Sequence, residues 1–242
     1  MSNMTHPIPT ILAIDSATEF CSVALSCADG VFERGQEAPR QHADLLLPYV
    51  QSVLDEAGLT LQDVDAIAVG SGPGSFTGVR IAAGIAQGLA FSQSIPMIPV
   101  SSLVAMAQQA VRLHDASHVL AAIDARMGEV YWGTLERVDG LMRIQGKAVV
   151  CAPSEVTVPS VDELTDLTWT TVGTGFETYG DVLIEHLPHV RLQRAVDVRF
   201  PHALDMLPVA FDAWARGETV TADQFDVEYV RNEVTWQKLP GR

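Results

Sequence analysis

The spacing of apolar and polar positions predicts short strands and long helices in the first hundred residues. Apolar runs and alternating stretches, bounded by turn residues, predict strands at 10–15, 21–26, 31–37, 65–69 and 97–100. Apolar side chains at helical spacing predict helices at 42–57 and 76–91, and Ser101 or Ser102 begins a third that runs to Arg112. Hairpin strands followed by alternating helices and strands predict an α/β lobe with a mixed sheet.

The helix predicted at 42–57 has one clear end and one ambiguous feature. Gly58 is expected to end it in a left-handed conformation. Pro48 falls inside the pattern and predicts either a kink or a later start of the helix.

The second half of the chain repeats landmarks of the first half. Ile14-Asp15 ends an apolar strand, and Ile123-Asp124 does so 109 residues later. Val69-Gly70-Ser71-Gly72 returns as Val172-Gly173-Thr174-Gly175 after 103 residues. Two matches in the same order at nearly one offset predict two related lobes. We therefore expect an α/β fold of duplicated, actin-like (RNase H-like) lobes with mixed sheets flanked by helices, divided into residues 1–101 and 102–242.

The glycine-rich segment from Gly70 to Arg80 is the main candidate for ligand chemistry. Three glycines and a proline within five residues are expected to exclude a strand or a helix and to form a tight turn. A strand, a glycine turn and a helix N-terminus together favour an anion. Gly72, Gly74 and Ser75 are therefore weak phosphate-binding candidates. The segment lacks the Lys-Ser or Lys-Thr pair of a P-loop and the frame of a nucleophile elbow.

Asp15 completes this candidate site at the end of the first strand. Its carboxylate is able to hold Mg²⁺ beside a phosphate or to cap the amides of the turn that follows. That turn contains no glycine and includes the bulky Phe20, which favours capping.

Composition narrows the partners of the chain. A net charge of −15, with two lysines and scattered arginines, predicts no direct binding of nucleic acid. No apolar run is long enough for a membrane helix, so we expect a cytoplasmic protein. Three cysteines suit a reducing compartment and are expected to be free thiols. The pairs His114/His118 and His186/His189 break helical register, so no metal site is predicted.

The helix at 76–91 has small residues on two neighbouring stripes. Gly84 and Gly88 lie four apart, a spacing that lets another helix approach closely. Packing against the sheet of the same lobe and contact with another subunit remain alternatives. Arg80, in the first turn, is an equal candidate for an anion contact and for an ion pair at a lobe or subunit interface.

The sequence resembles a known bacterial family, the tRNA threonylcarbamoyladenosine biosynthesis proteins TsaB. The matching segments are spread along nearly the whole chain: 11–25, 42–48, 70–80, 123–131 and 229–234. The resemblance implies an actin-like fold shared with TsaD, the paralogue that transfers threonylcarbamoyl to an adenosine beside the tRNA anticodon. ATP and a metal ion are expected in that partner.

Departures from TsaD suggest that this chain is a silent subunit. Ser102 and Met106 stand where TsaD has an H-x-x-x-H metal pair, and neither replaces a histidine ligand. The resemblance implies a non-catalytic scaffold that acts with TsaD and TsaE and is a homodimer when alone. The interface candidates are Leu46, Val50, Arg80, Gly84 and Gly88. The alternative is an ATP-dependent small-molecule kinase of the actin-like superfamily.

Overall fold

A computed structural model describes residues 8–158, 167–228 and 230 of the chain. The first sheet has five strands: β1 (Ile11–Asp15), β2 (Phe20–Cys27), β3 (Gly30–Glu37), β4 (Ala66–Gly72) and β5 (Met97–Ser101). Their order is β3-β2-β1-β4-β5. β1 is antiparallel to β2 and parallel to β4. The sheet is therefore mixed, with antiparallel pairing on one side of β1 and parallel pairing on the other.

The second sheet repeats this topology. Its strands are β6 (His118–Arg126), β7 (Glu129–Val138), β8 (Leu141–Ile144), β9 (Val149–Cys151), β10 (Thr168–Val172) and β11 (Arg191–Arg194). The order β8-β7-β6-β10-β11 corresponds strand for strand to the first sheet, and β9 is an addition paired with β7. The antiparallel and parallel pairings also match. The prediction of duplicated α/β lobes is confirmed.

Five helices cover the two sheets in the described part of the chain. They are α1 (His42–Ala57), α2 (Phe76–Gln93), α3 (Ser102–His114), α4 (Thr174–His186) and α5 (Ala203–Ala215). α1 and α2 pack on one face of the first sheet and α5 on the other. α3 and α4 cover opposite faces of the second sheet. None of these described helices has the length and apolar character needed to cross a membrane.

The chain returns to the first lobe near its C-terminus. α5 packs on β1, β2, β4 and β5, and the backbones of Met97 and Val220 exchange two hydrogen bonds of 2.8 Å. Phe225 is buried in the core formed by α1, α2 and the first sheet. A division at residue 101 therefore separates the two sheets but not all the segments that pack on them.

α1 is one helix across Pro48, so the predicted range of 42–57 is confirmed and the alternative of a later start is wrong. The helix begins at His42 and ends before Gly58, whose φ of 66° is left-handed as expected. Proline removes the donor for the carbonyl of Asp44, but both residues are exposed and water is able to replace it.

Two of the interface candidates lie inside the lobe. Leu46 is fully buried and Val50 is 4% exposed, both within the core beneath α1. Their side chains leave almost no surface for a partner. The interface expectation is therefore corrected at these positions, because the apolar face of α1 is consumed by packing on its own sheet. Leu47, on the opposite side of the helix, is half exposed.

The cysteines are free, as expected. Cys21 and Cys27 lie in the same strand, β2, and both are buried. Burial, with a smaller contribution from the charge of Asp15, raises the pKa of the Cys21 thiol to about 12. This thiol stays protonated and unreactive near neutral pH.

Candidate functional site

Asp15 caps the turn between β1 and β2. Its Oδ1 accepts a hydrogen bond of 3.1 Å from the backbone N–H of Ala17. Its Oδ2 is buried and has no hydrogen-bond partner among the described residues. Burial raises the pKa of Asp15 to about 7, partly offset by the Ala17 hydrogen bond. A Cβ on Gly70 would lie 1.9 Å from Oδ2, so this carboxylate requires a glycine in the neighbouring strand.

The glycine-rich segment begins as a strand, contrary to expectation. β4 continues to Gly72, and Gly70 and Gly72 pair with Val100 and Ser101 of β5 across a shift in register. The strand persists because β1 and β5 flank β4 and supply partners for its backbone. Only residues 73–75 separate the strand from α2. Gly72, with a φ of 100°, supplies the left-handed residue before this short turn.

The glycine loop lies directly against the β1–β2 turn. The backbone N–H of Ser75 donates a 2.7 Å hydrogen bond to the carbonyl oxygen of Ala17. The hydroxyl of Ser16 donates a 2.8 Å bond to the carbonyl oxygen of Gly78. A Cβ on Gly74 would lie 2.2 Å from the Ala17 oxygen. These atoms fill the space between loop and turn, so a phosphate does not fit between them.

The Ser75 side chain serves the helix. It is the N-cap residue of α2, and its Oγ accepts a 3.3 Å hydrogen bond from the N–H of Gly78. The backbone and side chain of this phosphate-loop candidate are thus both engaged within the chain.

A C-terminal segment also holds the glycine-rich strand. The N–H of Glu228 donates a 2.8 Å hydrogen bond to the carbonyl oxygen of Ser71. Gln87 of α2 donates to the carbonyl oxygens of Ala222 and Phe225 at 2.9 and 3.2 Å. Burial raises the pKa of Glu228. Of the family segment 229–234, Tyr229 and residues 231–234 lie outside the described residues.

In the second lobe, the turn after the first strand is likewise packed against its glycine loop. Asp124 accepts a 2.8 Å hydrogen bond at Oδ1 from the N–H of Arg126, as Asp15 does from Ala17. Its own N–H donates to Thr174 Oγ1 at 3.1 Å, which joins the turn to the start of α4. A Cβ on Gly173 would lie 2.2 Å from the carbonyl oxygen of Ala122. Both turns after the first strands are thus packed against their glycine loops.

Two arginines of the second lobe bind glutamates of the first. Arg126 lies 3.0 Å from Glu19, which follows the Asp15 turn, and 3.3 Å from Asp124. Arg199 lies 2.8 Å from Glu37 at the end of β3. These bridges were missed by sequence reasoning, because nothing in the local pattern relates residues more than a hundred positions apart.

Arg199 is also bound within its own lobe. Its guanidinium forms a pair of hydrogen bonds with Glu177 of α4. These bonds, followed by the charges of the surrounding glutamates, raise the pKa of Arg199.

The positions compared with the TsaD metal pair are buried against apolar neighbours. Ser102 and Met106 are fully buried in α3, and Ser102 Oγ has no hydrogen-bond partner among the described residues. Among the residues that the structure describes, no group of three or more His, Cys, Asp or Glu side chains is placed to hold a metal ion. His114 lies 2.8 Å from Asp197, whereas the His118 ring contacts Trp169 at 5.1 Å, so the two histidines have separate partners.

One face of α2 is open. A Cβ on Gly84 or Gly88 would meet no atom within 4 Å, and both positions are exposed. At the helix ends, Phe76 and Phe91 are 72% and 80% exposed. Arg80 stacks over the Phe76 ring at 3.4 Å and donates to its carbonyl oxygen. The helix buries the alanine stripe and leaves the glycine stripe accessible.

Comparisons with known proteins give consistent results. The family model described as "TsaD: tRNA N6-adenosine threonylcarbamoyltransferase" matches residues 34–206. The tRNA threonylcarbamoyladenosine biosynthesis protein TsaB of Escherichia coli is 46% identical over 96% of this chain and 99% of its own length. TsaB of Haemophilus influenzae is 42% identical over 96% and 98%. The solved structure of YeaZ from Pseudomonas aeruginosa is 46% identical, with a TM-score of 0.82 and coverage of 91% and 99%.

The duplicated sheet topology, with an aspartate at or near the C-terminal end of the first strand of each copy, defines an α/β protein of the actin-like class. The similarity over nearly the full length of both chains then places it more narrowly: the chain belongs to the TsaB family.

Proposed function

We propose that the chain is a non-catalytic subunit in the formation of N6-threonylcarbamoyladenosine next to the tRNA anticodon, acting in the cytoplasm with TsaD and TsaE. The Ser75–Ala17 hydrogen bond of 2.7 Å carries the non-catalytic part of this proposal. It closes the gap between the glycine loop and the Asp15 turn, where the sequence predicted a phosphate. The names of the relatives supply the pathway.

A complex subunit needs a contact surface, and the open face of α2 is our candidate. Gly84 and Gly88 let a partner helix approach closely, and the exposed Phe76 and Phe91 offer apolar area at either end. We propose that this face, with Arg80, forms the contact with TsaD and, in the absence of TsaD, with a second copy.

Reconstitution tests the function. Formation of the modified adenosine in tRNA is measured with TsaD and TsaE, with and without this chain, and with this chain alone. We expect modification only in the complete mixture. Modification by the isolated chain would refute the non-catalytic role, and full activity without the chain would refute the subunit role.

Variants on α2 test the surface. Gly84→Trp and Gly88→Trp are expected to weaken co-purification with TsaD and self-association in sedimentation, with no loss of folding. Glu185→Trp, on an exposed position of α4, is the matched control. The interface assignment is wrong if the α2 variants and the control behave alike.

A kinase is the second candidate, since both lobes keep an aspartate at or near the C-terminal end of the first strand. The closed contact between loop and turn disfavours it. Isothermal titration with ATP and Mg²⁺ at millimolar concentration decides the question. No heat of binding is expected.

A further inference from the structure

The outer edge of the first sheet is a second exposed surface. β3 lies at the end of the strand order, and among the described residues it pairs only with β2. An edge strand carries a row of backbone donors and acceptors that another extended chain is able to pair with. Neither the glycine loop nor the face of α2 uses this edge.

The register of the hairpin identifies the groups on the edge. The N–H of Ala38 donates to the carbonyl oxygen of Glu19, which marks one hydrogen-bonded pair of the β2–β3 ladder. Bonded and non-bonded pairs alternate along an antiparallel ladder. The backbone N–H and C=O groups that point away from β2 therefore belong to Val31, Glu33, Gly35 and Glu37. The carbonyl oxygen of Glu33 already accepts a 2.7 Å hydrogen bond from Arg34 Nη1, whereas its N–H stays on the open edge.

A groove of about 350 Å³ adjoins this edge on the face that α5 covers. The rings of Phe20 and His202 stack there with centroids 4.0 Å apart and planes 7° from parallel. Gly35 lies opposite, and a Cβ at this position would be 2.8 Å from the Phe20 ring. The missing side chain keeps that part of the ring accessible from the groove.

The charges around the groove favour a cation. Glu33 lines the groove and is exposed. Arg34 also lines the groove, but its guanidinium binds Ser52 and Glu56 of α1 and the carbonyl oxygen of Glu33, so its charge is paired. Burial lowers the pKa of His202, so its ring is uncharged at neutral pH. A carboxylate beside an aromatic ring attracts an ammonium or guanidinium group, and the net charge of −15 attracts basic partners generally.

A second copy of the chain fits this edge poorly. A symmetric antiparallel pairing that overlaps most of β3 centres on Glu33, Arg34 or Gly35. The first register places the two Glu33 residues opposite each other, the second the two Arg34 residues, and the third places Glu33 opposite Glu37. Like charges directly opposite destabilise a strand pair.

We propose that the β3 edge binds an extended, basic segment of a partner protein by strand addition. The N–H groups of Val31, Glu33 and Gly35 and the carbonyl oxygens of Val31 and Gly35 pair with the segment. A Lys or Arg side chain of the segment enters the groove, over Phe20 and beside Glu33. This binding is independent of the α2 surface.

The test uses the full chain and an eight-residue peptide of alternating valine and lysine. A second peptide has the same sequence and charge, but its pairing amides are N-methylated, so it cannot add as a strand. Amide hydrogen exchange and binding are followed by NMR. We expect the unmethylated peptide to protect the amides of Glu33 and Gly35 and to bind at least tenfold more tightly. The amide of Arg34, already bonded to β2, serves as the internal reference.

Two variants separate backbone pairing from charge. Glu33→Pro removes an outward N–H at an edge position where proline is tolerated, and it should abolish protection at Gly35. Glu33→Gln keeps the N–H and should weaken binding several-fold. Circular dichroism checks that both variants fold, and the methylated peptide provides the test if Glu33→Pro does not. Equal binding of both peptides, or no protection at Glu33 and Gly35, overturns the proposal. So does a dimer that Glu33→Pro abolishes, because the edge would then serve a second copy.

Discussion

The backbone N–H of Ser75 donates a 2.7 Å hydrogen bond to the carbonyl oxygen of Ala17, so the glycine loop and the β1–β2 turn touch through their main chains. The glycines permit this approach, since a side chain at Gly74 or Gly78 would overlap the carbonyl oxygen of Ala17 or Ser16. The loop thus joins two parts of the first lobe. Packing between these two backbones accounts for the glycines at positions 74 and 78.

The first prediction concerns Gly74. Gly74→Ala should lower the free energy of unfolding by about 2 kcal/mol or more, because its Cβ would lie 2.2 Å from a backbone oxygen that is fixed by β1 and β2. Urea denaturation followed by circular dichroism measures the change.

Gly84→Ala is the matched control for this variant. It lies in the interior of α2 with open space at its Cβ, so alanine should raise the free energy of unfolding by up to about 1 kcal/mol. If Gly74→Ala lowers the free energy of unfolding by no more than about 0.5 kcal/mol, the glycine loop is able to move away from the β1–β2 turn without loss of packing.

The fold was largely predictable because burial imposes a period on the sequence. The helix predicted at 42–57 is α1, and the strands of the first sheet fall within a few residues of their predicted ends. The repeated aspartates and glycines correctly indicated a second copy of the sheet. α5 was not predicted, although its buried residues lie at helical spacing in the sequence: Ala203, Met206, Leu207, Ala210 and Ala213.

The candidate site was less predictable because long-range contacts determine its state. The local sequence indicates a turn at Gly70–Gly72, but pairing with β5 overrides that preference. The same glycines suit a phosphate and a close backbone approach. Only the position of the Ala17 carbonyl oxygen, in the turn between β1 and β2, distinguishes the two.

The second prediction concerns the titration of Asp15. Its pKa is raised from 3.8 to about 7 by burial, so the folded state binds a proton more tightly than the unfolded state. The stabilisation is fully present below pH 3.8 and is lost as the pH rises through about 7. Between pH 6 and pH 8 this group should lower the free energy of unfolding by about 1.4 kcal/mol.

Asp15→Asn should remove this part of the pH dependence. Asparagine keeps an acceptor for the Ala17 N–H but carries no charge, so its gain in stability over the native chain should be larger at pH 8 than at pH 6 by about 1.4 kcal/mol. Denaturant titrations at both pH values measure it. Asp139→Asn, at an exposed turn, is the control. The same slope in the native chain and in Asp15→Asn would refute the assignment.

The third prediction concerns the two arginine bridges between the lobes. Arg126→Ala with Arg199→Ala removes the contacts with Glu19 and Glu37. These pairs are exposed, so each should contribute only about 0.2–1 kcal/mol to the free energy of unfolding. The lobes should nevertheless separate more readily, which X-ray scattering detects as a larger radius of gyration.

Arg137→Ala is the control for this double variant. Its partner, Asp115, follows α3 beside the second sheet, so both groups belong to the same lobe. The control should leave the radius of gyration unchanged, and 1 M salt should expand the native chain toward the double variant. An unchanged radius in the double variant would show that other contacts hold the lobes together.

The fourth prediction concerns Arg112 of α3 and Asp205 of α5. The guanidinium binds both carboxylate oxygens, at 2.7 and 2.9 Å, and the Asp205 side chain is only 2% exposed. These hydrogen bonds raise the pKa of Arg112.

Arg112→Met should lower the free energy of unfolding by about 3 kcal/mol, because it leaves a buried carboxylate without its cation. Asp205→Leu added to that variant should restore most of the loss, since α5 packs on an apolar face of the first sheet. A double-mutant cycle from denaturant titrations measures the coupling. If Arg112→Met lowers the free energy of unfolding by no more than the loss of an exposed ion pair does, water reaches Asp205. The link from α3 to α5 then depends on apolar contacts alone.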